Sequence, residues 1–150
     1  MYHRIVATKI RRTFADMSAG KPQSLASAMA PTFTYRFYGD HALSGERHTL
    51  DALRRWAERG ARLIPDPRFR VDEVIVTGPP WATRVATRVS VSAELPGGSR
   101  YENVFMQFMH LRWAKITEVR TLEDTAVLER ALDTVAASGV AEAHAAPISD

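Results

Sequence analysis

An imidazole and a carboxylate held near one another can move protons to and from a bound molecule close to neutral pH. His110 and Asp124 are the pair in this chain whose positions suggest that chemistry. They stand 14 positions apart (124 − 110) across one short connection, so antiparallel pairing of the flanking segments is expected to bring them close. An apolar pocket disfavours the charged form of a carboxyl, which would make Asp124 a general acid or base; at a helix start it would instead cap backbone amides. His110 could polarise a carbonyl or serve as a hydrogen-bonded structural histidine near a strand end. If it points inward, Phe108, Met106 and Val104 do so too, while Tyr101, Asn103, Phe105 and Gln107 face the other way. Arg120 shares its parity with Glu118 and Asp124 and is the expected positioning partner, since a buried arginine usually has a carboxylate beside it. Tyr35, Phe37, Trp56 and Trp81 are large enough to line a pocket for a flat or cyclic ligand, and equally suited to fill a core. The ligand-contacting set is therefore Tyr35, Trp56, Arg88, Phe108 and Arg120.

Composition narrows the remaining chemistry. The chain has no cysteine, and its histidines at 3, 41, 48, 110 and 144 show no paired ligand spacing, so neither thiolate chemistry nor a metal is expected. The net charge is +3 and the pI about 9.6, but the arginines are dispersed between Arg4 and Arg130 without a basic run, which argues against a nucleic-acid partner. No apolar run approaches membrane-spanning length, and Met1-Tyr2-His3-Arg4 leads into a charged periodic segment, so a cytoplasmic protein with no membrane partner is expected.

The elements that must position these residues follow from periodicity. Val6, Ile10, Phe14 and Met17 recur at helical spacing from His3 to Ser18, and Pro22 suits the first turn of a shorter helix through Met29. Thr32–Tyr38 is a strand by its β-branched and aromatic content. Thr49 caps a helix whose face is Leu53, Trp56, Gly60 and Leu63, closed by Pro65 and Pro67. Four strands follow, Phe69–Thr77, Trp81–Leu95, Arg100–Trp113 and Lys115–Leu122, then a helix from Asp124 to Ala137 with Gly139 as its stop. This order describes an α+β domain over residues 1–139 with a mainly antiparallel sheet, its helices on one face and a cleft between, and a mobile tail at 140–150. An exposed sheet face opposite the helices would suit a second copy, so a homodimer is expected.

The element order, the Leu43-Ser44-Gly45 entry to the third helix, the Tyr101-x-Asn103-x-Phe105 strand and the run Lys115-Ile116-Thr117-Glu118-Val119-Arg120 into Asp124 resemble the nuclear transport factor 2-like superfamily. Within it, the chain resembles the SnoaL-like group related to polyketide cyclases, ketosteroid isomerases and limonene epoxide hydrolases. The resemblance covers about residues 3–137. It implies a cone-shaped, curved antiparallel sheet wrapped around N-terminal helices, a C-terminal helix, a central apolar pocket, frequent homodimers and no cofactor. His110 and Asp124 stand where the cyclases place their acid–base pair. Arg36 stands where the isomerases have their proton-shuttling aspartate, and Met106 or Gln107 where they have a second acid, which argues against that activity. The epoxide hydrolases' arginine and two aspartates find Arg88 and Asp124, with Ser90 at the third place. The implied function is cofactor-free acid–base chemistry on a hydrophobic cyclic molecule of polyketide, steroid or terpenoid type. The alternatives are a non-catalytic ligand-binding or dimeric interaction module, or epoxide hydrolysis.

Overall fold

The computed structural model describes residues 1–150. Helix α1 (Tyr2–Ser18) buries Val6, Ile10 and Phe14, one residue per turn along a single stripe. The short α2 (Gln23–Ala28) leads directly into β1 (Met29–Phe37). Pro31, a natural helix stop, lies inside that strand, beside a register irregularity between Met29 and Thr34, where its missing amide costs little. The turn residues Ser44-Gly45 lead into a three-residue strand, β2 (Gly45–Arg47), that pairs with β1. Thr49 then caps α3 (Leu50–Leu63), its side chain accepting a hydrogen bond from the Ala52 amide.

Strands β3 (Arg68–Thr77), β4 (Thr83–Glu94), β5 (Arg100–Arg112) and β6 (Lys115–Glu123) form an antiparallel meander, and α4 (Thr125–Ala137) closes the order. The sheet runs β2-β1-β6-β5-β4-β3. Because β6 returns beside β1 in the same direction, that one pairing is parallel and the sheet is mixed. The β5–β6 turn is tight, with Trp113 and Ala114 both left-handed at φ of 51° and 63°, the geometry that two-residue hairpins demand.

Strand parity decides what faces the helices. On β5 the buried set is Tyr101, Asn103, Phe105, Gln107, Met109 and Leu111, while Val104, Met106 and Phe108 lie on the outer face. Both alternating sets contain apolar residues, so the pattern on β5 alone permits either phase. The neighbouring β4 breaks the tie: it turns Val85, Val89, Val91 and Ala93 inward and Arg84 and Arg88 outward, and paired residues of adjacent strands share a face. Val85 pairs with Met109 and Val89 with Phe105. Phe14 of α1 lies over this floor, its ring 5.8 Å from Phe69 and 6.0 Å from Phe105.

The segment after α4, where composition suggests mobility, carries a 3-10 turn (Ala141–His144) and several specific contacts. Arg59 and Arg62 bind Glu142 at 3.2 and 2.7 Å. Arg47 donates to the Ile148 carbonyl at 2.7 Å, and the His48 amide donates to the Asp150 carboxylate at 2.9 Å.

Candidate functional site

His110 and Asp124 are not brought together. His110 sits on the outer face, paired across the ladder with Glu118 and with its Nδ1 3.1 Å from the Glu118 carboxylate. Glu118 precedes Asp124 by six residues (124 − 118), about 20 Å of extended chain. Asp124 is the N-cap of α4, accepting a hydrogen bond from the Val127 amide at 3.3 Å. Antiparallel pairing does join β5 to β6, but residue 110 meets residue 118 there, not 124.

The other expected contacts divide by face in the same way. Phe108 is 64% exposed on the outside of the sheet. Arg120 shares that side and binds Glu118 through Nε at 2.6 Å, a positioning pair formed outside the cone and not within it. Arg88 also points outward, 3.7 Å from both Asp72 and Glu73. The arginine–aspartate set of an epoxide hydrolase is therefore not assembled, since Arg88 is on the convex side and Asp124 caps a helix. Tyr35 and Trp56 do meet, their rings 5.0 Å apart, with Tyr35 buried and Trp56 partly so. The Trp56 indole donates to the Leu43 carbonyl at 2.9 Å.

The buried carboxyl on the concave face is that of Glu123, the last residue of β6 and only 7% exposed. Parity places it there: Val119, Thr121 and Glu123 share the inward set, and Glu123 pairs with Phe105. The Tyr101 hydroxyl donates to Glu123 Oε1 at 2.6 Å, and Asn103 Nδ2 donates to the Tyr101 oxygen at 2.9 Å and to the Asp124 carbonyl at 3.0 Å. Burial raises the Glu123 carboxyl to about 7, against a partial lowering by the Tyr101 hydrogen bond and a further rise from the nearby Asp124 charge. The same burial, together with the Glu123 charge, pushes the Tyr101 hydroxyl well above the usual phenol range. Glu123 can thus hold or release a proton near neutral pH, the property anticipated for Asp124. Its signal in the sequence was its place two residues beyond Thr121 on the Val119 parity, masked by the adjacent Asp124.

A row of polar groups crosses the same concave surface one ladder step away. Thr87, Gln107 and Thr121 are paired neighbours on β4, β5 and β6. Gln107 Nε2 donates to Thr121 Oγ1 at 2.9 Å, whereas the buried Thr87 hydroxyl has no partner. Tyr35 reaches Thr121 and Gln107, and burial raises its hydroxyl to about 12.

The large open pocket expected in the interior is not shown; a cavity of about 30 Å³ lies between α1, α2 and the sheet, its walls including Phe14, Met17, Leu25, Tyr35, Gln107 and Met109. That volume is about one water molecule's share. Phe14, Phe69 and Phe105 pack mutually against the concave face of the sheet. No three His, Asp or Glu side chains gather where they could hold a metal ion, and no helix is long and apolar enough to cross a membrane.

A curved sheet folded around α1, α2 and α3 with ionisable and polar groups on its inner face defines a nuclear transport factor 2-like α+β cone. Residues 10–119 match the SnoaL-like domain model, and the chain belongs to that family. Solved structures with the same fold include an NTF2-like protein of unknown function from Burkholderia pseudomallei, 16% identical, with a TM-score of 0.74 over 83% of this chain and 95% of that one. A candidate SnoaL-like polyketide cyclase from Jannaschia sp. is 15% identical, with a TM-score of 0.70 over 84% of this chain and 90% of that one. IdmH from Streptomyces antibioticus, described as a candidate polyketide cyclase, is 20% identical, with a TM-score of 0.67 over 85% of this chain and 98% of that one. No curated protein matches the chain by sequence.

Proposed function

We propose that the chain is a small-molecule enzyme that works by acid–base chemistry without a cofactor on a hydrophobic cyclic ligand, with Glu123 as the proton-transfer group and Tyr101 and Asn103 as its positioning residues. One observation carries the reading: a carboxyl buried on the concave face, balanced near pH 7 by its surroundings. Tyr101 occupies Oε1, and no hydrogen bond engages Oε2, the atom to which the reading assigns the proton transfer. An ionised Glu123 takes a proton from a carbon acid or hydroxyl brought against Oε2. Its conjugate acid then returns the proton to another atom of the same molecule, so the net reaction is an isomerisation or ring closure with no proton gained or lost. Asn103 fixes the Tyr101 oxygen, and Tyr101 holds the carboxyl in one orientation. The described relatives in Jannaschia and Streptomyces support the ligand class by fold alone.

The cavity of about 30 Å³ between α1, α2 and the sheet does not reach Glu123, so a ligand larger than water meets that carboxyl only if the side chains packed around it withdraw. That filled interior favours a second reading, in which the domain is a non-catalytic interaction module that joins copies through its outer sheet face. Val104, Met106, Phe108 and Leu122 are 41, 52, 64 and 56% exposed there. Arg88 pairs with Met106, and Met106 with Leu122, so these apolar side chains adjoin a basic margin. A face of this kind suits a homodimer under either reading.

Screening cyclic ketones and phenols by thermal shift, then following conversion by mass spectrometry, tests the enzyme reading. Conversion by the wild type that is lost in Glu123→Gln while binding persists supports it. Conversion unchanged in that variant refutes the assignment, and stable folded protein that binds none of the probes favours the interaction module.

A further inference from the structure

Arg47 is the largest fully buried side chain in the protein, 0% exposed, and no carboxylate lies within ion-pair distance of it. A guanidinium in that setting loses its hydration without gaining a counter-charge, which is costly unless its donors are met. Its donors are met by main-chain carbonyls: Nη1 by Ser44 at 3.1 Å and Ile148 at 2.7 Å, and Nη2 by Gly45 at 3.2 Å. Nε is buried with no partner. The guanidinium carbon stands 5.1 Å from the Trp56 ring centre and 6.0 Å from that of Tyr35, so aromatic faces flank the charge.

Of the three carbonyls, two belong to the turn beside Arg47 itself, and the third comes from the far end of the chain. Residues 146–150 run across the site as a strap. Ala146 accepts from Arg59 at 2.7 Å, Ile148 from Arg47, and Asp150 from the His48 amide, with the His48 ring 3.4 Å away. Pro147 lies against Gly45, where a side chain would leave it little room. The strap presents acceptors and acid to Arg47, His48 and Arg59, as a bound acidic molecule would. It is also lightly held. Ala146, Pro147, Ser149 and Asp150 are exposed, so little apolar surface opposes its release. Ala145, Ala146 and Pro147 border an open depression of about 580 Å³ into which they could move.

We infer that Arg47, flanked by Trp56 and Tyr35, is a binding site for an aromatic carboxylate, and that residues 146–150 are its intramolecular occupant, displaced when the carboxylate binds. The carboxylate would accept from Nη1 in place of the Ile148 carbonyl, a charge-assisted hydrogen bond where the strap offers a neutral one. The aromatic part would lie along Trp56. This inference stands apart from the Glu123 reading, since Arg47 and Glu123 share no contact.

The test uses the full chain, with benzoate as the probe, benzamide as its uncharged counterpart and inorganic phosphate as a second anion. The Trp56 indole N–H resonance reports the site, and hydrogen exchange of the His48 amide, which donates to the Asp150 carboxylate, reports the strap. Benzoate is expected to shift the Trp56 signal saturably and to speed exchange of the His48 amide, while benzamide does neither. In the double variant Glu142→Gln, Asp150→Asn, which weakens the strap without touching the guanidinium, benzoate affinity should rise about fivefold by removal of a competing state. Arg47→Lys should abolish the response; if that variant fails to fold, the double variant still decides. No saturable shift, an equal response to benzamide, exchange unchanged at saturation, or a response to phosphate alone would overturn the inference.

Discussion

Replacing Glu123 with glutamine should make the protein more stable in alkali and leave it unchanged in acid. The carboxyl ionises at about 7 in the fold against an ordinary 4.5. Between those values the folded chain keeps a proton that the unfolded chain has released. Stability therefore falls as pH rises from 4.5 to about 7 and is level above. The 2.5 pH units between those two values (7 − 4.5), at about 1.36 kcal/mol each, make the loss roughly 3 kcal/mol. Glutamine has no proton to lose, and its amide oxygen can still accept the Tyr101 hydroxyl. The stability difference between variant and wild type should be near zero below about pH 4 and reach roughly 3 kcal/mol above about pH 8. For a domain of this size that is roughly 6–12 °C in Tm. Urea denaturation at half-unit pH steps measures the difference directly, and the other carboxylates cancel in the subtraction. A difference that does not vary with pH, or a variant weaker than wild type at pH 8, would refute the account of Glu123.

Three further outcomes are expected. Asp124→Ala should cost about 1 kcal/mol in thermal or urea denaturation through loss of the α4 cap, whereas Asp124→Asn should lie within a few tenths of wild type; a large effect of the asparagine variant on turnover would restore Asp124 to the chemistry. Ala114→Gly should gain about 0.5–1 kcal/mol, because the β5–β6 turn holds residue 114 at a positive φ that glycine adopts without strain. Phe108→Glu, on the exposed outer face, should keep the circular dichroism spectrum of wild type and shift sedimentation toward the monomer, and unchanged sedimentation would remove this face as the dimer contact.

The sequence by itself determined the α+β class, the order of the elements apart from the short β2 and the 3-10 turn, and the family resemblance. These rest on local signals: a 3.6-residue stripe in α1, Thr49 as a cap, β-branched strand runs, and glycines or prolines at the boundaries. Asp124 as a helix cap was legible for the same reason, since a cap acts on amides three residues away. The face of each strand was not. β5 carries apolar residues on both parities, and only pairing with β4 decides that Phe105 and Gln107 face the helices while Phe108 and His110 face out. That one phase choice moved His110, Phe108 and Arg120 to the convex side and Glu123 into the core. The partners of Arg47 and His48 were hidden further still, because Ile148 and Asp150 lie about a hundred positions away in sequence. Contacts of that separation depend on where the chain returns in space, which no local spacing records.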